Sequence, residues 1–355
     1  MNSYLNSISE QEIERQFFES LYTHGINYKS FTPIMDGKLH RFATAEDKGK
    51  ETSGAYVIHT DGTANWSIKD FRQHNNMIYY KFDPSYLSDS DRREYEEQIK
   101  QHHTPKAKQE QAQKRKEEEQ RQKEKEATAV KSALREYQNA LGNNLDTQLF
   151  KVSAHEYVKK KGLNPQVLCI WRTFFPCTVK TQYRQGDLFP KGTLLIPLIN
   201  PKTFEFMSLQ GIFFNGAEII KRFYRNAPIK GAVYLISNGM TIHDQKLTCQ
   251  ELIIAEGVAT GASVFEMSSS KDGIFWSRKP VICALSCNAL LPIAKTMREI
   301  VPNAKITIAA DNDKAGIAAA IQCLEYEVAD SVKCPKEYKN DWNDFHENLR
   351  RKKNV

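Results

Sequence analysis

Five carboxylates stand where chemistry is expected. Glu256 follows the apolar run Leu252-Ile253-Ile254-Ala255, Asp311 and Asp313 follow Ile306-Thr307-Ile308-Ala309-Ala310, and Asp341 and Asp344 lie in Asn340-Asp341-Trp342-Asn343-Asp344. In open α/β sheets, ligands bind beyond the carboxyl ends of the strands, which is where the first three fall. Carboxylate oxygens are hard donors; Mg²⁺ usually takes one or two of them and keeps waters and substrate phosphates in its other positions. Asp311 and Asp313, two apart in an extended segment, point to the same side and can share a metal, while Glu256 on another strand completes that site or accepts a proton. Two metals roughly 3.5–4 Å apart can activate an attacking hydroxyl and stabilise the leaving oxygen of a phosphoryl group. Any one of these carboxylates alone reads as a helix cap, because each precedes a helix. Three acidic groups at strand ends of one α/β domain read instead as a metal site.

The elements that must position them alternate. Leu252 to Ala255, Val281 to Leu285 and Ile306 to Ala309 are apolar strands, separated by helices over Val258 to Met267, Asn288 to Ile300 and Ala315 to Tyr326, which predicts a parallel α/β sheet. Upstream, Thr193 to Ile199, Phe204 to Ile212 and Ala232 to Ile236 have the β-branched and aromatic content of a mixed or antiparallel sheet. Ser153 and Glu156 have capping-box spacing for a helix ending at Gly162, and Asn164-Pro165 starts a short helix running to near Phe175. Lys221, Arg222, Arg225 and Lys230, interleaved with Phe223 and Tyr224, are either a nucleic-acid surface or a solvated sheet edge.

The N-terminal part is different. Ser9 and Glu12 cap an amphipathic helix carrying Ile13, Phe17 and Leu21 and stopped at Gly25; short strands with Asp36-Gly37 and Asp61-Gly62 turns follow between Phe31 and Phe82. Lys38, His40, Arg41, Lys69 and Arg72 among Tyr56, Trp66, Phe71 and Tyr79 suit base stacking and phosphate contact, although Trp66 and Phe71 could equally hold a small core. Asp91 to Glu126 is dominated by Lys, Arg, Glu and Gln and cannot contribute to a core. Thr104-Pro105 starts a helix that is solvated at first and docked at its end through the stripe Ala127, Val130, Leu134, Tyr137 and Leu141, spanning on the order of 55 Å as a spacer; a partly disordered linker fits the composition as well. Four segments result: a sheet-rich module at 1–88, the charged helix or linker at 89–142, an α+β basic subdomain at 143–231 and an α/β domain at 232–355.

Composition excludes several classes. The 355 residues are 40% hydrophobic and 26% charged with a formal net charge of +7, against disorder throughout and mildly in favour of an anionic partner. No apolar run approaches the roughly 18 residues of a membrane span, and the N-terminus lacks signal-peptide features, which predicts no membrane and a cytoplasmic location. The 7 cysteines include no CxxC pair, so no zinc is expected, and there is no GxxxxGK[ST] P-loop.

The series Ala-Glu-Gly at 255–257, Ala-Asp-Asn-Asp-Lys-Ala-Gly at 310–316 and Asp-Trp-Asn-Asp at 341–344 resembles the Toprim domain shared by DnaG-type primases, topoisomerases, RecR and OLD-family nucleases. Leu195-Ile196-Pro197-Leu198, Ser208-Leu209-Gln210-Gly211-Ile212, Lys221-Arg222-Phe223 and Lys230-Gly231-Ala232-Val233-Tyr234 are similar to the basic subdomain of DnaG-type primase cores, those of conjugative plasmids, integrative elements and phages in particular. The segments Asp36 to Phe42 and Asn65 to Phe71 resemble the N-terminal modules of mobile-element primases. This resemblance implies a nucleotidyltransferase that makes short RNA primers on single-stranded DNA from ribonucleoside triphosphates, in a bacterial or phage-infected cell, served by a separate helicase. It implies Mg²⁺ or Mn²⁺ on Asp311 and Asp313, completed by Glu256 and by Asp341 or Asp344, and nucleic-acid or nucleotide contacts from Lys221, Arg222, Arg225, Lys230, Gln210 and Asn288. The alternatives are a Toprim nuclease and a noncatalytic single-stranded nucleic-acid-binding protein. A topoisomerase needs a tyrosine on a separate large domain, for which the chain has little room.

Overall fold

The structure, a computed structural model, describes residues 10–60, 64–73, 76–102, 105–141, 145–170, 173–179, 189–237, 242–243, 246–268, 279–336 and 341–353. The chain divides into two compact units, Met1–Glu119 and Gln120–Val355.

In the first unit, helix α1 (Glu10–Thr23) packs Ile13, Phe17 and Leu21 onto an antiparallel sheet of β1 (His40–Phe42), β2 (Gly54–His59), β3 (Asn65–Asp70) and β4 (Ile78–Lys81), paired in chain order. The helix ends where Ile26 N–H reaches the Leu21 carbonyl at 2.9 Å across Gly25, whose φ of 66° favours glycine. Its expected cap Ser9 and the Asp61-Gly62 turn lie outside the described residues. Trp66 and Tyr56 are buried in the core, the Trp66 indole donating to Ser20 Oγ at 2.9 Å. Helix α2 (Asp89–His102) corrects the expectation that the charged stretch adds nothing to a core: Tyr95 is buried edge-on to Phe82 at 5.5 Å, with Ile99 beside it. One apolar residue per turn is enough to dock a helix that is charged elsewhere.

Helix α3 (Pro105–Leu141) has 37 residues, about 55 Å at 1.5 Å per residue; its expected cap Thr104 lies outside the described residues. The docked face is Ala129, Ala133, Tyr137 and Ala140, with Val130, Leu134 and Leu141 half-buried and Ala127 exposed, so the expected stripe is rotated. Small alanines, rather than the larger side chains of that stripe, let the helix approach the sheet beneath it.

That sheet is antiparallel in the order β5 (Cys177–Thr178), β6 (Leu194–Ile199), β7 (Phe206–Asn215), β8 (Glu218–Phe223). Strand alternation gives it two faces. Leu195, Leu209 and Phe213 face α3; Leu194, Ile196, Ile212, Phe214, Ile219 and Phe223 face the α/β domain. Gly211 lies under the Phe189 ring, where a Cβ would sit 2.3 Å from a ring carbon. Helices α4 (Leu145–Ala154), α5 (Glu156–Lys160) and α6 (Pro165–Leu168) line the second face. His155, not Ser153, caps α5, its Nδ1 accepting from Tyr157 N–H, while the Ser153 hydroxyl turns back to the Phe150 carbonyl. α6 is capped by Asn164 as expected but stops at Leu168, short of Phe175.

The third sheet has the order β15 (Ser331–Lys333), β14 (Lys305–Ala309), β12 (Glu251–Ala255), β13 (Val281–Cys283), β9 (Tyr234–Ile236). The first four strands are mutually parallel; β9 runs antiparallel along β13, so the sheet is mixed at that edge. Helices α7 (Val258–Met267), α8 (Cys287–Ile300) and α9 (Lys314–Glu325) follow β12, β13 and β14, and α10 (Trp342–Lys353) packs on α7. The short hairpin β10 (Ile242–His243) and β11 (Lys246–Leu247) stands apart from this sheet. Gly261 brings α7 close to β13, a Cβ there falling 2.4 Å from Cys283 Sγ.

Candidate metal centre and its cationic rim

Ala255 and Ala309 are register partners on adjacent parallel strands, so Glu256 and the Ala310-Asp311 turn leave the sheet side by side. Asp311 is half-buried and takes a hydrogen bond from Thr260 Oγ1, in the first turn of α7, at 3.2 Å. Asp313 caps α9 through Oδ1, which accepts from Gly316 N–H at 2.8 Å. Between them Asn312 donates to the Pro335 carbonyl at 2.9 Å, pinning the turn to the segment after β15. Asp311 and Asp313 therefore spend Oδ1 and keep Oδ2 without a protein partner among the described residues. Glu256 accepts from the N–H of Cys287, which opens α8. Leu285, in the turn leading there, has a φ of 75°, a strained backbone for a branched side chain.

Asp341 sits at the start of α10: Oδ1 accepts from Asp344 N–H at 2.7 Å and Oδ2 lies 3.3 Å from Lys161 Nζ. Asp344 is 3.5 Å from the same ammonium. Buried Asn343 fixes this arrangement by donating to the Lys161 carbonyl at 2.7 Å and to Ser263 Oγ at 3.0 Å. Lys221, on β8, carries its ammonium over the Tyr157 ring at 5.6 Å.

The charges share one cleft. Burial, then the neighbouring Glu256 and Asp341 carboxylates, push Asp311 up to about 7, with the Thr260 hydroxyl opposing. Glu256 is raised by burial and by Asp313, against the Cys287 N–H and Lys221. Lys221 is lowered by burial and by Lys161, against Asp341, Asp311 and Glu256. The residue as a whole is exposed, but its ammonium is the part in the crowded cleft.

Among the described residues, no three His, Cys, Asp or Glu side chains are already gathered closely enough to grip an ion. The donor chemistry nevertheless fits a hard divalent cation: Glu256, Asp311 and Asp313 offer carboxylate oxygens, and Asp311 and Asp313 keep one oxygen each without a protein partner among the described residues. Asp341 has both oxygens engaged and Asp344 pairs with Lys161 outside the repulsions felt by Asp311, so Asp341 is the one of the two adjoining the cluster.

The remaining sequence candidates are scattered. Gln210 pairs across the ladder with Phe223 and shares the cleft-side face with Lys221. Arg222 points to the opposite face, its guanidinium 5.7 Å from the Phe213 centroid. Arg225 lies beyond β8, and Lys230 is exposed in the loop before β9 with no contact to the carboxylates among the described residues. Asn288 is exposed in the first turn of α8, where Pro292 supplies no N–H to its carbonyl. Sequence reasoning missed Lys161, Thr260 and Asn343. Lys161 stands 180 positions from Asp341, and no local spacing joins them.

Residues 251–350 match the family described as Toprim domain. The chain carries a Toprim domain. No curated protein matches the chain in sequence. The zinc-binding and RNA polymerase domains of the Aquifex aeolicus primase align with 99% of this chain and 85% of that one, at 16% identity and a TM-score of 0.37. The primase fragment of the bacteriophage T7 primase-helicase protein aligns with 55% of this chain and 69% of that one, at 14% identity and a TM-score of 0.37. Overlaps this loose transfer neither a residue role nor an activity.

The Toprim cleft depends on one close backbone approach. A Cβ on Gly316 would stand 2.7 Å from the Asp311 carbonyl oxygen. Gly316→Ala is therefore expected to displace the Asp311 turn and weaken binding of a divalent cation at these carboxylates by roughly tenfold or more, although alanine favours the helix interior by about 1 kcal/mol. A thermal melt alongside a metal titration checks this: the expected variant stays folded and binds metal more weakly.

Proposed function

We propose that the chain is a DNA primase, joining ribonucleotides on single-stranded DNA. The observation that carries this reading is the meeting of two charge types in one cleft: the Toprim carboxylates Glu256, Asp311, Asp313 and Asp341, and Lys161 and Lys221 from the neighbouring subdomain. A phosphoryl-transfer site needs both, carboxylates for metal and cations for a triphosphate.

Asp311 and Asp313 would hold Mg²⁺ or Mn²⁺ through their remaining oxygens, with Asp341 adjoining. Bound there, the metal would supply charge neutralisation at the α-phosphate and at the departing oxygen. Glu256, made more basic by burial and by the neighbouring Asp313, would accept the proton of the attacking 3′ hydroxyl. The new bond joins that oxygen to the α-phosphorus, the bond to the β-phosphate oxygen breaks, and pyrophosphate departs. Lys221 faces the triphosphate from β8. Lys161 holds Asp341 and Asp344 in place. The segments 143–231 and 232–355 act here as basic subdomain and Toprim domain, and a separate helicase would open the duplex.

The N-terminal unit is assigned template contact through a narrower set of residues than its composition suggests. Arg72 is paired with Asp47 at 2.7 Å and Glu51 at 3.1 Å, and His40 with Asp36 at 2.7 Å. Phe71 is 49% exposed, with Arg41 and Lys69 at 4.0 and 4.6 Å from its ring centroid, a cation-and-ring surface of the kind that stacks bases and holds phosphates. Phe71→Ala with Arg41→Ala is expected to weaken template binding by about tenfold at unchanged stability, corresponding to the roughly 1–3 kcal/mol that one stacked base contributes. Fluorescence anisotropy on single-stranded DNA reads this out, and unchanged affinity removes the assignment.

The reading as a whole is tested by incubating the chain with single-stranded DNA, ribonucleoside triphosphates and Mg²⁺ or Mn²⁺. Oligoribonucleotides are the expected product. A shortened template without new product would favour the nuclease, and binding without any turnover the noncatalytic protein. No helix among the described residues is long and apolar enough to cross a membrane.

A further inference from the structure

The face of the antiparallel sheet turned away from the carboxylates carries a second charged feature. Helix α3 and the turn after β8 bound an open groove of ≈ 630 Å³, lined by Arg121, Glu124, Lys125, Ser132, Tyr224 and Arg225 among others. Arg121 and Lys125 stand four residues apart and so share a helix face, and Arg225, in the turn after β8, lines the groove with them. None of these three cations has an ion pair or hydrogen bond among the described residues. The one carboxylate in the lining, Glu124, is engaged along its own helix by Gln120 at 2.8 Å. Arg222 emerges on the same side over Phe213.

Glu117 and Glu118, one turn before Arg121, offset part of its charge on the helix, but within the groove the like charges at helical spacing repel and a third cation opposite them adds to the repulsion, so the lining is complementary to an anion. From Arg121 to Ser132 the helix side runs about 16 Å, long enough for several consecutive phosphates rather than one. Tyr224, whose half-buried ring stands edge-on to Phe189 at 6.0 Å, also lines the groove. Cations in a track beside an aromatic ring match the chemistry of a single strand, whose phosphates pair with the cations while an unpaired base stacks.

We propose that this groove is a second binding track for single-stranded DNA, separate from the Toprim cleft and on the opposite face of the sheet. It would hold template that lies outside the reacting segment. The inference rests on the primase reading for the identity of the strand, not for the existence of the track.

The experiment measures binding by the full chain, without nucleotide or metal, to single-stranded oligonucleotides of about 8 and about 30 nucleotides over a salt series; one such groove covers roughly 4–16 nucleotides. Arg121→Ala/Lys125→Ala/Arg225→Ala is expected to lose about tenfold or more in affinity for the longer strand at low salt, and its salt slope is expected to fall by about 2, near 0.7 for each lost phosphate contact. Glu124→Gln is expected to tighten the same strand, an effect that misfolding cannot imitate. Unchanged affinity and slope in the triple variant, or a duplex bound as tightly as the single strand by the unaltered chain, overturns the proposal. A chain that makes no primers yet shows both binding effects keeps the groove and loses the primase reading; a chain that makes primers while the triple variant binds normally does the reverse.

Discussion

Glu256→Gln, Asp311→Asn and Asp313→Asn are each expected to reduce primer synthesis by roughly 10²–10⁴-fold while the protein stays folded. Each removes a charge at nearly constant volume, and asparagine at 313 still caps α9, because Asn and Asp are near-equivalent N-caps. Asp311→Asn has a second consequence. Its carboxyl is held at about 7 in the folded chain against an ordinary value of 3.8, so the folded state binds that proton more tightly than the unfolded chain does. The resulting stability is fully present below about pH 4 and is lost as pH rises toward 7. Metal-free protein should therefore melt at lower temperature at pH 8 than at pH 5, and Asp311→Asn should flatten that slope. After allowance for solvent reaching the cleft, the gain at pH 8 is on the order of 1–2 kcal/mol, or a few degrees. Thermal melts in chelator at the two pH values measure it. A variant that is inactive and also unstable at every pH would mean that Asp311 serves the fold alone.

Lys221→Ala and Lys230→Ala should part company, although the sequence sets them in one basic cluster. Lys221 lies among Asp311, Glu256 and Asp341, while Lys230 is exposed in the loop before β9. Loss of Lys221 should lower kcat/KM for ribonucleotide by about 10²-fold, the cost of removing one preorganised cation from a phosphoryl-transfer site. It should also move the acid limb of the rate profile upward, because Lys221 opposes the raised pKa of Glu256 and without it Glu256 ionises at higher pH. Lys230→Ala should change kcat/KM by no more than about twofold, as a solvated charge does. Steady-state kinetics across pH separates the two. Equal losses would return the cluster to a single undivided surface.

What was legible in the sequence follows from the range over which each signal acts. The alternation after Leu252 gave α7 at its observed bounds and the neighbouring strands and helices to within a residue or two, because buried parallel strands are short apolar runs. The content of Ala232 to Ile236 suits the antiparallel pairing that β9 makes, but it does not reveal that the partner is β13 of the α/β sheet rather than the antiparallel sheet upstream. The carboxylates announced themselves by standing after strands, and the capping reading also holds for Asp313 and Asp341, which do both jobs with different oxygens or different neighbours. Lys161 and Asn343 come together only through tertiary packing. Lys221 and Arg222 are adjacent in sequence yet serve opposite faces, which the period of two predicts once the strand is known. Tyr95 shows the limit of composition, because a charged context hid a core residue, while for Trp66 the sequence leaves core and stacking surface both open and only the fold places it in the core.

The central claim is that the Toprim cleft transfers a nucleotidyl group and does not cut one free with water. The most direct measurement is pyrophosphate released per ribonucleotide incorporated on circular single-stranded DNA with Mg²⁺ or Mn²⁺, in the unaltered chain and in Asp311→Asn. One pyrophosphate for each phosphodiester bond formed, one fewer than the nucleotides in each primer because the first keeps its triphosphate, with an intact circle and loss of both products in the variant, is the predicted result. Pyrophosphate-free opening of the circle that still depends on Asp311 would contradict it.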